Sequence, residues 1–142
     1  MSSVETIHAT TVAILSRAVL ITGPSGSGKS DLALRLIDRG FTLVSDDQTV
    51  VTRRDDRLLA SAPANIAGKL EIRGIGIVDR SIVEDVPVAL LVELTSEIQR
   101  LPEEGRARQI LDVPVPLISI DATTASAAAK VVIGLDRLGL RF

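Results

Sequence analysis

The sequence predicts an α/β fold with a phosphate-binding loop at its centre and a mixed sheet flanked by helices. Three observations carry that reading. Short apolar runs of strand character recur along the chain, and two longer segments show helical spacing. Between one such strand and one such helix lies Gly23-Pro24-Ser25-Gly26-Ser27-Gly28-Lys29-Ser30, which meets G-x-x-x-x-G-K-[ST] at every fixed position. Hairpin-like pairs of runs are too frequent for a purely parallel, doubly wound sheet.

Taken in order, residues 10–14 and 18–22 read as two strands. The second is buried on both faces, because Ala18, Val19, Leu20 and Ile21 are apolar without alternation. After the phosphate loop, residues 31–39 form an amphipathic helix carrying Leu32, Leu36 and Ile37 and closed by Gly40. A strand over 41–45 ends in Asp46-Asp47, and 49–53 with 57–60 make a hairpin around Arg54-Asp55-Asp56. Residues 61–68 are a loop or short helix containing Pro63, and 70–78 is strand-like but punctuated by Gly74 and Gly76. Pro87 opens the most apolar stretch, a core strand over 88–94. A short helix over 103–111, a strand over 117–120 and a long Ala-rich helix over 123–138 complete the reading.

A chain of 142 residues, 46% hydrophobic and 24% charged, is the size of one domain, 1–142, that buries a real core. A net charge of -2, with Phe41 and Phe142 as its only aromatic residues, lacks the basic stripe and stacking rings of a nucleic-acid binder. The absence of cysteine excludes disulfides and thiolate metal sites and fits a reducing cytoplasm. No apolar run reaches the roughly 18 residues of a membrane span. Ser2, Ser3 and Glu5 stand where a signal peptide carries basic residues. The expectation is a cytoplasmic protein without nucleic-acid or membrane partners.

The loop sets the chemistry. Gly23, Gly26 and Gly28 let successive backbone N–H groups curl around a polyphosphate, where side chains would obstruct it. Lys29 reaches the β- and γ-phosphates, and Ser30 places its hydroxyl on Mg²⁺. The nucleotide-binding set therefore runs from Gly23, Pro24, Ser25, Gly26, Ser27 and Gly28 through Lys29 and Ser30 to Asp31, with ATP and Mg²⁺ as the groups bound.

The reaction depends on carboxylates and cations near that loop. Asp46 and Asp47 close the strand after the phosphate-loop helix. An acid there holds Mg²⁺ or takes a proton from an attacking hydroxyl, and two adjacent acids on a strand point to opposite faces. Their structural alternative is a polar strand end. Glu71 and Arg73, two apart, share a face if extended, so one can ligate Mg²⁺ while the other offsets phosphoryl charge; a cross-strand salt bridge is the alternative. His8, the single histidine, lies just before the first expected strand, and nothing local marks it as catalytic.

Thr6-Ile7-His8, the phosphate loop, Leu43-Val44-Ser45-Asp46-Asp47 and Leu70-Glu71-Ile72-Arg73-Gly74-Ile75-Gly76, in that order and spacing, resemble the catalytic domain of the HPr kinase/phosphorylase family. The resemblance implies a P-loop core similar to that of ATP-dependent phosphoenolpyruvate carboxykinase. It also implies ATP-dependent phosphorylation of a serine of HPr, the phosphocarrier of the sugar phosphotransferase system. By position it makes His8 an active-site residue, Lys29 a phosphate ligand, Ser30 and Glu71 Mg²⁺ ligands, and Asp47, assisted by Asp46, the base. Arg100 resembles the arginine that stabilises phosphoryl charge, although Gln99 stands where the family has Asp. The family forms hexamers, so a homo-oligomer is an expectation.

Two departures shape the forecast. The chain starts almost at the histidine, without the family's N-terminal regulatory domain, like the truncated forms of α-proteobacteria. Residues 119–125 replace an arginine-containing segment associated with dephosphorylation, so the kinase reaction is expected and the phosphorylase reaction is not. A small-molecule kinase closing residues 97–108 as a lid, and a nucleotide sensor without turnover, are the rival readings. Arg106 and Arg108, on the short helix expected at 103–111, either meet the acceptor or form a solvated face.

Overall fold

The computed structural model describes residues 3–142. Its strands are β1 (Val4–Ile7), β2 (Thr10–Ile14), β3 (Arg17–Thr22), β4 (Thr42–Ser45), β5 (Thr49–Arg54), β6 (Arg57–Ser61), β7 (Lys69–Ile72), β8 (Gly76–Asp79), β9 (Val86–Leu94), β10 (Ala107–Ile110) and β11 (Val113–Ile120). The helices are α1 (Lys29–Asp38) and α2 (Ala127–Leu138). Nine strands form one mixed sheet in the order β1-β5-β6-β9-β3-β2-β4, with β11 beside β9 and β10 beside β11; β7 and β8 pair with each other.

Both faces of the central strands are covered, which explains the unbroken apolar runs. Val19 and Ile21 of β3 pack under α1 and α2 with Leu32, Leu36, Val92 and Val131. Ala18 and Leu20, on the opposite face, pack with Ile7, Val51, Leu58, Leu91 and Val115 from β1, β5, β6, β9 and β11. The molecule is thus a helical layer, a central sheet and a second β layer.

Strand direction places the site. β9 runs parallel to β3, and β11 parallel to β9. β2 is antiparallel to both β3 and β4, so β4 also runs with β3. The carboxyl ends of β3, β4, β9 and β11 therefore open on one side, where ligands of open α/β sheets bind.

The expected α/β architecture is met, and four local readings are corrected. A strand, β1, precedes His8, and pairing with β5 across Glu5↔Val51 overrides the weak alternation of its four residues. The strand expected over 70–78 is a β7–β8 hairpin, in which Ile75 N–H bonds Ile72 carbonyl at 3.0 Å; Arg73 therefore sits in the turn and does not share a strand face with Glu71. The helix expected over 103–111 is a turn followed by β10, paired Arg108↔Val115, so Arg106 and Arg108 are not on a helix. Here cross-strand burial of Ile110, 2% exposed, outweighs helical propensity. The last helix begins at Ala127, because Asp121, Thr123 and Thr124 bond among themselves in a turn.

α1 ends as expected in a Schellman arrangement. Gly40 N–H bonds Ile37 carbonyl at 3.0 Å and Phe41 N–H bonds Leu36 carbonyl at 3.1 Å. The carboxyl end of α2 is held from outside, by Arg17 donating to the carbonyls of Leu135 and Leu140, both at 2.9 Å.

Candidate active site

The phosphate loop leaves β3 at Thr22 and turns into α1. Ser27 N–H bonds Pro24 carbonyl at 3.0 Å, and Leu32 N–H bonds Gly28 carbonyl at 2.9 Å as the helix begins. Gly28 has φ +98, a left-handed conformation that side chains rarely adopt. At Gly23 the constraint is space, since a Cβ there lies 2.7 Å from Ser27 Oγ and 3.1 Å from Leu94 Cβ. Lys29, 7% exposed, donates from Nζ to the carbonyls of Gly23 at 2.8 Å and Pro24 at 3.1 Å. The ammonium is thus held over the mouth of the loop by the loop itself.

Ser30 Oγ donates to Asp46 Oδ1 at 2.7 Å. Asp46, 8% exposed, also accepts from Thr10 Oγ1 at 3.0 Å and, on Oδ2, from the N–H of Glu71 at 3.0 Å. Four segments meet on this carboxylate: α1, β2, the end of β4 and β7. Asp46 and Asp47 lie just beyond β4 and not on it, and Asp47 has φ +68, which Asp tolerates better than most residues. Thr10 Oγ1 fixes that backbone by accepting the Asp47 N–H at 3.1 Å. The two acids are separated by this turn instead of by strand alternation. Asp46 points into the phosphate-loop centre, and Asp47 Oδ1 accepts from His8 Nε2 at 2.8 Å on the exposed rim.

Ser30, Asp46, Asp47 and His8 therefore share one continuous hydrogen-bonded network with Thr10. Glu71 joins it through its backbone, with its carboxylate exposed. Arg73 and Arg100 are exposed and outside it: Arg73 in the β7–β8 turn, Arg100 in the bend after β9. Asp31, in the first turn of α1, pairs with Arg35 at 3.1 Å.

Three contributors escaped the sequence reading. Thr10 is fully buried and ties the two acids together; its only signal was that it is one of two threonines in an otherwise apolar strand. Arg35 reads as a surface position on α1, yet Nη2 donates to Ala122 carbonyl at 2.7 Å and Nη1 to Thr124 carbonyl at 3.4 Å. Asp121 accepts from the hydroxyl of Thr123 at 2.6 Å and from its N–H at 2.9 Å, bonds that hold its carboxyl below the usual carboxylate range. A cavity of about 950 Å³ lies elsewhere, lined by residues such as Glu93, Glu97, Arg106, Ile118 and Leu140.

The geometry fits a Mg-nucleotide. Ser27 Oγ is buried with no hydrogen-bond partner, as a loop amide-and-hydroxyl cradle is before it meets an anion. Ser30 and Asp46 supply the hard oxygens Mg²⁺ prefers. Among the described residues no three of His, Cys, Asp and Glu converge as a metal cage.

A profile of the HPr Serine kinase C-terminal domain matches residues 1–134. The chain belongs to that family. HPr kinase/phosphorylase of Lactiplantibacillus plantarum is 37% identical over 90% of this chain and 45% of its own length. That of Latilactobacillus sakei subsp. sakei is 38% identical over 82% and 41%. The chain thus spans less than half the length of these curated relatives. The structure of the Hpr(Ser) kinase/phosphatase from Coxiella burnetii superposes with a TM-score of 0.79 at 32% identity, covering 94% of this chain and 97% of that one. Membership of the HPr Serine kinase family agrees with the P-loop core and mixed sheet described above. Among the described residues no helix is long and apolar enough to cross a membrane.

Proposed function

We propose that the protein transfers the γ-phosphoryl group of ATP to a serine of HPr, the phosphocarrier of the sugar phosphotransferase system. The observation that carries this reading is the Ser30–Asp46 hydrogen bond, 2.7 Å, which joins the phosphate loop to the acid-bearing end of β4. Family membership supports HPr as the acceptor. The loop amides and Lys29 would hold the triphosphate, and Ser30 and Asp46, with the Glu71 carboxylate at the rim, would hold Mg²⁺. When bound, that ion would neutralise charge on the triphosphate. Asp47, oriented by His8, accepts the proton of the serine hydroxyl as its oxygen bonds the γ-phosphorus and the bond to the β,γ-bridging oxygen breaks, leaving ADP. Arg73 and Arg100 offset charge on the transferring group from the exposed edges of the site once the acceptor is docked. Positioning and charge account for the rate more than covalent chemistry does.

The direction of the reaction is forward transfer. Residues 119–125 contain no arginine to hold inorganic phosphate or phosphoserine, which argues against phosphorolysis of the product. A cytoplasmic enzyme acting as a homo-oligomer, a hexamer as in the family, completes the reading. Domain 1–142 is the catalytic unit.

The test is incubation with radiolabelled ATP, Mg²⁺ and purified HPr. Label on an HPr serine is expected; label on a small metabolite, or binding without transfer, overturns the assignment. Asp47→Asn is expected to lower transfer by roughly a hundredfold to ten-thousandfold with nucleotide affinity retained. Unchanged turnover removes Asp47 as base. Lys29→Ala weakens binding and transfer together.

A further inference from the structure

Two strands share β11. β10 pairs its first four residues, Val113 to Pro116, and β9 pairs its last four, Leu117 to Ile120. Thr95 N–H bonds Ile120 carbonyl at 3.0 Å, so Ile120, and by alternation Ile118, turn their backbone groups toward β9. Leu117 and Ser119 turn theirs the other way. Leu117 N–H meets the Arg106 carbonyl at 2.9 Å, just ahead of β10, and past that point no strand of the described residues runs along this edge. The N–H and carbonyl of Ser119 therefore face outward, an unmatched donor and acceptor of the kind that another extended chain pairs with.

That edge lies in the cavity of about 950 Å³, whose lining includes Leu117, Ile118 and Ser119. Its two sides differ. Ile118, with Leu138 at the end of α2 and Leu140 beyond it, gives an apolar side toward the helical layer. Glu93 is on the opposite face of the sheet, because its neighbours Val92 and Leu94 pack under the helices. Glu97, Glu103 and Glu104 line the same cavity, and Arg106 is the one cation among its lining residues. Among the described residues none of these four carboxylates forms an ion pair. A strand added at this edge sets successive side chains on alternate faces, one against the apolar side and the next against Glu93. The open stretch, residues 118–120, spans about 10 Å, the reach of a short motif.

We propose that the outer edge of β11 at residues 118–120 docks an extended segment of a partner protein in which apolar and basic residues alternate, added as a strand on Ser119. Backbone bonds fix its register, apolar side chains fill the α2 side, and Lys or Arg meets the carboxylates. The chain itself carries a net charge of -2, so charge favours a basic partner over a second copy. In strand order this edge is separated from the acids after β4 by β9, β3 and β2, and the inference does not rest on the phosphoryl-transfer reading.

The probe is the peptide acetyl-Val-Lys-Val-Lys-Val-amide, added to the full chain and followed by calorimetry and by amide exchange. Binding is expected with a Kd below about 1 mM. Roughly tenfold weakening is expected in each of three comparisons, the size of one lost hydrogen bond or charge contact. These are the same peptide with its internal amides N-methylated, the peptide with Glu in place of Lys, and the protein carrying Glu93→Gln with Glu97→Gln. Exchange of the Ser119 N–H slows when the peptide is bound. No binding of the probe at about 1 mM, or equal affinity in any of the three comparisons, overturns the proposal. Binding that leaves Ser119 exchange unchanged places the peptide elsewhere and overturns it too. Self-association of the chain in sedimentation, reversed by the peptide, gives the edge to a second copy and overturns the choice of partner.

Discussion

Thr10 is the residue on which the site's geometry turns. One hydroxyl donates to the Asp46 carboxylate at 3.0 Å and accepts the Asp47 N–H at 3.1 Å, so a single oxygen positions the acid bonded to Ser30 and the proposed base. The left-handed backbone of Asp47 persists because this contact and the 2.7 Å bond from Gln48 N–H to Asp46 carbonyl over-determine the turn. Thr10→Val keeps the shape and removes both bonds, leaving a buried carboxylate with one donor fewer. The expected outcome is a stability loss of about 1–3 kcal/mol in urea unfolding. Transfer is expected to fall on the order of tenfold to a hundredfold, because the base is misplaced, at unchanged nucleotide affinity. Wild-type turnover with unchanged stability contradicts this account. The identity of the acids was legible in the sequence; the atom joining them was not, because Thr10 lies 36 residues from Asp46 and hydroxyls in strands are common.

Elements tell the same story at larger size. β2, the β5–β6 hairpin and the close of α1 were readable from local pattern and turn residues, since each is stabilised within a few residues of itself. β1, the β7–β8 hairpin and β10 were not. Their four-residue strands carry little periodicity and exist because a partner strand satisfies their backbone. α2 depends on a distant residue as well: its last carbonyls are capped by Arg17 at the start of β3, and Leu140 N–H bonds Ala89 carbonyl at 2.9 Å. Arg17→Ala is expected to cost about 1–3 kcal/mol, with the loss seen as faster amide exchange in the last turn of α2 and beyond. Exchange at wild-type rates there shows the cap to be idle.

For the whole molecule, stability resides in the central strands that face both cores. Leu91 of β9 is 1% exposed and packs against the second β layer, whereas Leu101, in the bend after β9, is 87% exposed. Leu91→Ala is expected to cost about 2–5 kcal/mol. Leu101→Ala stays within about 0.5 kcal/mol of wild type, both measured by urea unfolding. Equal effects of the two contradict a core divided by the central sheet.

The phosphate loop, its flanking strand and helix, and the acids after β4 were determined by sequence alone, because their chemistry depends on residue types at short fixed spacing and their strands on apolar runs. Tertiary structure alone decided which acid meets Ser30 and which meets His8, that Thr10 joins them, and that Arg35 clamps the 121–124 turn beside Gly28. The reason is that strand order and direction, set by non-local pairing and burial, bring together residues that no local pattern relates.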